Sequence, residues 1–107
     1  MIIKVPKEIK VSSHIYQIVF KPNLKIDDGF QGTVQHRTQV IEIEPLTSLD
    51  FLLVTLLHEI IHIISTVYSL HLEEDAVDRL AEGLAQGLLE SFGLELDWSD
   101  IKGELKQ

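Results

Sequence analysis

The run His58-Glu59-Ile60-Ile61-His62 holds the residue types and the spacing best suited to chemistry in this chain. On a helix, residues four apart differ by only ~40° at ~100° per residue, so both imidazoles project from one face. Two nitrogens one turn apart can reach a single tetrahedral zinc at ~2.0–2.1 Å. Glu59 lies ~100° round from His58, where it flanks the metal rather than binding it. That position suits a general base acting on a zinc-bound water. Most of the helix circumference is Leu, Ile, Val or Phe, while the His face continues with Thr55, Ser65, Thr66 and Ser69. A polar stripe on an apolar helix is costly unless something polar fills the gap it faces, and a metal with its water would do so. The competing reading is two core histidines satisfied by hydrogen bonds, with Glu59 as their buried partner.

Zinc needs a third protein ligand, leaving the fourth position to water for catalysis. Glu73, Glu74, Asp75 and Asp78 head the next helical segment, with His71 beside them. A third His ten residues after the first is ruled out, because that position is Tyr68. The apolar face of the second helix centres near Ala81 and Leu84 at ~100° per residue. Glu74 sits at the edge of that face, Asp75 points away, and Asp78 stands one turn beyond Glu74. The favoured arrangement has Glu74 as ligand and Asp78 behind a ligand imidazole, accepting its N–H. For Glu73 and Asp75, compensation of the helix macrodipole is the better account. One tension stays open. From His62 to Ser69 a helix carries the chain about 10 Å away at ~1.5 Å per residue. Either the first helix ends early, or the helices cross steeply, or Asp78 is itself the ligand.

The elements that must position these groups form a strand-rich first half and a helical second half, an α+β pattern. Residues 1–5 read as a short strand, and 11–20 as a better one with period-two alternation. Residues 21–30 carry Pro22, Asn23 and Asp27-Asp28-Gly29, a loop ending in a turn. Residues 32–44 read as a hairpin turning near His36-Arg37-Thr38, with Ile41 and Ile43 on one face and Val40, Glu42 and Glu44 on the other. His36 reads as a surface histidine in that turn. Pro45 ends this segment. A helix then starts with Thr47 and Asp50 in capping-box-like spacing, or with Ser48 as N-cap, and runs to about 69. A second helix spans about 72–92, with Val77, Leu80, Ala81, Leu84 and Leu88 on one face and Gly93 as its C′ residue. No structure is assigned to the tail from 93 to 107. Together these make a small antiparallel or mixed sheet packed on two C-terminal helices in one domain. Residues 1–46 are its strand-rich part and 47–92 its two-helix metal-site part.

Composition narrows the functional classes. At 107 residues the chain has room for one core. Its 45% hydrophobic content is high for that size and fits a buried central helix, with a partner-covered surface or homo-oligomer as a further option. Seventeen acids against nine bases give a net charge of -8, which repels phosphate backbones and argues against nucleic acid. No basic helix face supports a membrane-surface role. The apolar stretch 51–70 is long enough to span a bilayer. A carboxylate at its centre would cost at least ~2.5–3.5 kcal/mol, and a buried core helix explains it better. Cysteine is absent, so a zinc site must use imidazole and carboxylate ligands. Lys4 and Pro6 interrupt the N-terminal apolar residues, so no signal-peptide core is read and the expected location is cytoplasmic.

With these residues in place, the chain resembles the zincin superfamily of metallopeptidases, in its gluzincin branch. The matching residues are His58, Glu59 and His62 for the H-E-x-x-H helix, then Glu74 and Asp78 for the E-x-x-x-D of the following helix. The layout is similar to small minimal zincins of phages and mobile elements, and distantly to ImmA/IrrE-type proteins. Gly32 followed by Ile41-x-Ile43 just before the motif helix is similar too. The likeness covers roughly 10–92, with only the His-Glu motif specific. It implies zinc, hydrolysis of a peptide or protein substrate, and an edge strand carrying Val40, Glu42 and Glu44 beside the cleft. It also implies an oxyanion-stabilising Tyr or His, for which Tyr68 and His71 are the nearest candidates. The walling subdomain of larger relatives is missing. A non-hydrolytic interaction or regulatory module that keeps the fold, and perhaps the metal, is the alternative function; a helix pair without metal is a third.

Overall fold

Ser48 starts the central helix. In the computed structural model, which describes residues 1–22, 32–45 and 48–101, its Oγ accepts from Phe51 N at 3.3 Å. Helix α1 then runs over Leu49–Val67. The alternative start at Thr47 lies outside the described residues. Leu52, Leu56 and Ile63 face the sheet, packing with Ile18, Phe20, Ile41 and Ile43. On the opposite side Ile61 packs against Val77 and Ala81, and Leu53 against Ala85. Two apolar faces on one helix account for side chains that are hydrophobic almost all round. Long and apolar enough to cross a membrane by composition, α1 is here the middle layer between a sheet and helix α2 (Glu74–Gln86).

The first half is a mixed sheet. Strands β2 (Glu8–Val11), β3 (His14–Phe20), β4 (Gly32–Gln35) and β5 (Val40–Ile43) lie in the order β2-β3-β5-β4 among the described residues. β2–β3 and β4–β5 are antiparallel hairpins, and β3 pairs with β5 in parallel, Ile18 opposite Ile41. The alternation holds over β5, with Ile41 and Ile43 fully buried, but it ends there: Glu44, expected on the opposite face with Val40 and Glu42, lies just past the strand and is buried at 3% exposure. The expectation that β5 forms the edge is corrected: it lies between β3 and β4, and among the described residues β4 takes the edge instead. Parallel pairing to β3 occupies the side of β5 that a lone hairpin would leave open. The β4–β5 turn covers 36–39, with Gln39 at φ 57°. His36 is exposed there, its Nδ1 3.1 Å from the Tyr16 hydroxyl. The loop expected over 21–30 lies outside the described residues beyond Pro22.

The first and last described strands pair with each other. β1 (Ile2–Lys4) pairs in parallel with β6 (Glu95–Asp97), and Trp98 and Ile101 are buried in the sheet-side core. The Trp98 ring lies 5.6 Å from that of Phe20.

Helix α2 differs from expectation in rotation and in length. Its buried residues are Val77, Ala81 and Ala85, whereas Leu80 and Leu84 are about half exposed. Small side chains on the contact line let α2 approach α1 closely, and the bulkier leucines are turned outward. A π-helical turn, Gly87–Ser91, follows directly. Gly93 at φ 60° then reverses the chain, and Leu94 N donates to Leu88 O at 3.0 Å. That closing bond spans one residue more than the usual six-to-one bond, as the wider π turn requires.

Candidate metal centre

The route from α1 to α2 decides whether an acid returns to the histidines. α1 stops at Val67, two residues short of the expected end, in a Schellman-type reversal. Leu70 N donates to Ser65 O at 2.9 Å and Ser69 N to Thr66 O at 3.4 Å, with Ser69 in the left-handed region at φ 54°. His71 is left-handed as well, at φ 54°. Buried Ser65 completes the turn, its Oγ accepting from Leu72 N at 3.0 Å. The chain thus doubles back within a few residues and starts α2 at Glu74, alongside the histidines. Helix geometry alone placed Ser65 on the polar His face; its hydroxyl serves the turn. Thr55 is likewise satisfied within α1, donating to Phe51 O at 2.9 Å.

Removing the Ser65 hydroxyl leaves the Leu72 N–H without its partner. Ser65→Ala is therefore expected to lower stability by ~1–3 kcal/mol, measured by urea unfolding of metal-free protein.

Three groups converge where α1 and α2 face each other. His58 Nε2 lies 2.6 Å from Glu74 Oε1 and 3.0 Å from His62 Nε2, and His62 Nε2 lies 3.1 Å from Glu74 Oε2. Behind them, His58 Nδ1 is 2.9 Å from Asp78 Oδ1. The buried face of α2 explains Glu74: it stands seven residues before Ala81, so it points along the same line towards α1. Glu74 and Asp78 keep 62% and 51% of their side-chain surface exposed, so the cluster opens to water. Tyr68, 56% exposed at the C-cap of α1, and exposed His71 make no hydrogen bond, ion pair or ring contact with it. Glu73 is the N-cap residue of α2 without a side-chain capping bond, and Asp75 is exposed.

Protonation sharpens the meaning of these distances. A carboxylate only accepts, so Asp78 holds the His58 proton on Nδ1 and turns a lone pair outward from Nε2. That lone pair faces a carboxylate oxygen and a second imidazole nitrogen. A single added proton bridges one edge of this triangle; a cation at its centre addresses all three. Bonds of ~2.0–2.1 Å at tetrahedral angles set donor atoms about 3.3 Å apart, which is about 0.2–0.7 Å wider than the edges of 3.1, 3.0 and 2.6 Å, with the His58–Glu74 edge needing the most opening. The donor set therefore fits a zinc-like ion with small side-chain movement.

Glu59 occupies a different environment. It is 5% exposed, and its carboxylate lies within 4.8 Å of both imidazoles. Burial pushes its pKa up to about 7, with His58 opposing the shift and Glu74 adding to it. Sequence reasoning missed what stands behind it. Gly32 on the edge strand packs so closely that a Cβ there would lie 2.6 Å from Thr55 Cγ2 and 3.5 Å from Glu59 Cγ. The Thr55 rotamer is tied by its bond to Phe51 O, so the methyl has little room to yield. Gly32→Ala is expected to destabilise the protein by ~1–3 kcal/mol, measured by thermal unfolding.

No protein-family profile, curated protein or solved structure matches the chain. The likeness to zincins thus rests on the residues of this cluster and their setting.

Proposed function

We propose that the chain is a zinc-dependent metallopeptidase with a zincin-like fold of the gluzincin type. His58, His62 and Glu74 hold the metal, Asp78 orients His58, and Glu59 is the general base. The carrying observation is the triangle of His58 Nε2, His62 Nε2 and a Glu74 carboxylate with edges of 2.6–3.1 Å. When bound, zinc supplies a Lewis acid that polarises a peptide carbonyl and lowers the pKa of water. Buried and beside the ligands, Glu59 takes a proton from the attacking water and returns it to the leaving amine. β4, the edge strand that packs Gly32 against Glu59, offers backbone for an extended peptide to pair with.

A second reading, a zinc-holding interaction module without hydrolysis, is favoured by one observation: neither Tyr68 nor His71 reaches the cluster to stabilise an oxyanion. The test is a proteome-derived peptide pool incubated with zinc-loaded protein and analysed by mass spectrometry. New termini that require zinc and vanish in Glu59→Gln support the peptidase. About one bound zinc per chain without any cleavage supports the interaction module.

A further inference from the structure

At the other end of the α1–α2 seam the two helices leave a groove of about 310 Å³. Its floor is apolar, made by Phe51, Val54, Ala85 and Leu89, and Phe51 is 41% exposed. Its rim is acidic, with Asp50 on one side and Glu82 and Glu90 on the other. Among the described residues none of these three carboxylates meets a cation; Glu90 has only Gln86 Nε2, at 3.5 Å. Asp50 is explained locally, since it lies in the first turn of α1, where negative charge is favourable. Glu82 and Glu90 are not. Glu90 lies in the last turn of the helical segment Glu74–Ser91, where the macrodipole favours cations, and Glu82 stands at its middle, where the dipole gives an acid no advantage; the last turn of α2 has no basic residue. The π-helical turn that carries Leu89 and Glu90 is a rare conformation, frequent at functional positions.

We propose that this groove docks a basic amphipathic segment of a partner protein. An apolar side chain of that segment enters between Val54 and Leu89, and its Lys or Arg residues lie over Asp50, Glu82 and Glu90. Charge complementarity selects this occupant. A second copy of the chain would bring an equally acidic rim against this one, and like charges facing across an interface are repulsive. The volume suits one or two large side chains. The groove follows the same seam as the histidine cluster, since Val54 precedes His58 by four residues and Glu82 follows Asp78 by four. The proposal holds whether or not that cluster hydrolyses peptides.

The test uses the full chain and a fluorescently labelled, short Leu/Lys amphipathic peptide, with binding read by anisotropy at physiological salt. Wild type is expected to bind, and Glu82→Lys with Glu90→Lys to weaken binding by about tenfold or more. The same double variant should gain affinity for the matching Leu/Glu peptide, which also reports that it is folded. Glu8→Lys with Glu95→Lys changes net charge equally on other surfaces and should leave binding within about twofold. Equal losses in the two double variants would reduce the attraction to overall charge and overturn the proposal. So would no measurable binding by wild type, or sedimentation showing a wild-type dimer that Glu82→Lys with Glu90→Lys dissociates.

Discussion

Glu59→Gln is expected to remove hydrolysis, by ~10²–10⁴-fold, while about one zinc stays bound. The amide keeps the shape of the carboxylate but cannot accept the proton of an attacking water. His58, His62 and Glu74 are untouched, so metal content and fold should persist. Peptide-cleavage rates and metal analysis on one preparation separate this outcome from simple loss of metal.

The same substitution leaves a second signature in metal-free protein. Burial raises the Glu59 pKa from 4.5 to about 7 in the folded state. Below the unfolded value both states hold the proton and the fold bears no penalty. Between 4.5 and about 7 the folded state keeps a proton that the unfolded state has lost, so stability falls as pH rises. Above that window the loss is complete, on the order of 3 kcal/mol. Metal-free Glu59→Gln should lack this slope and unfold at a higher temperature than wild type at pH 8. Thermal unfolding across the pH range checks it; parallel curves for the two proteins would mean that Glu59 is not held in a desolvated site.

Zinc affinity should rank the cluster residues. His58→Ala, His62→Ala and Glu74→Ala each delete a ligand, and a full ligand set is worth ~10–16 kcal/mol, so each loss should weaken binding on the order of a hundredfold to a thousandfold. Asp78→Ala removes only the partner of His58 Nδ1 and should cost ~10–100-fold. Glu73→Ala, at the N-cap of α2, should change little. Competition with a chelator of known affinity reads all five. The ranking separates the candidates for third ligand, because Asp78 as ligand would reverse the order of Glu74→Ala and Asp78→Ala.

What was legible in the chain before its structure was local. Placing His58 and His62 on one face needs only helical periodicity, and Glu59 beside them follows from the same angle. Alternation in β5 turned Ile41 and Ile43 into the core, and the hairpin around His36 followed from flanking patterns. The second helix shows where this reasoning stops. Its periodicity put Val77, Leu80, Ala81, Leu84 and Leu88 on one face, and contact with α1 turned the helix so that Val77, Ala81 and Ala85 are buried while Leu80 and Leu84 are half exposed. Strand β2 escaped notice because its alternation of Glu8 and Lys10 with Ile9 and Val11 spans only four residues, too few to stand without the pairing to β3. β6 was unassigned because its partner β1 comes from the other end of the chain, and no short window of sequence carries that pairing.

By itself, then, the sequence determined a two-histidine face with a carboxylate at its flank, and an apolar helix to carry it. Only the tertiary structure decided that Glu74 meets those histidines, that β4 rather than β5 forms the edge, and that Ser65 closes the turn between the helices. The physical reason is range. Helix and strand periodicity are set by neighbouring dihedrals. The return of Glu74 depends on two left-handed residues and a buried serine hydroxyl acting together once α1 is packed between the sheet and α2.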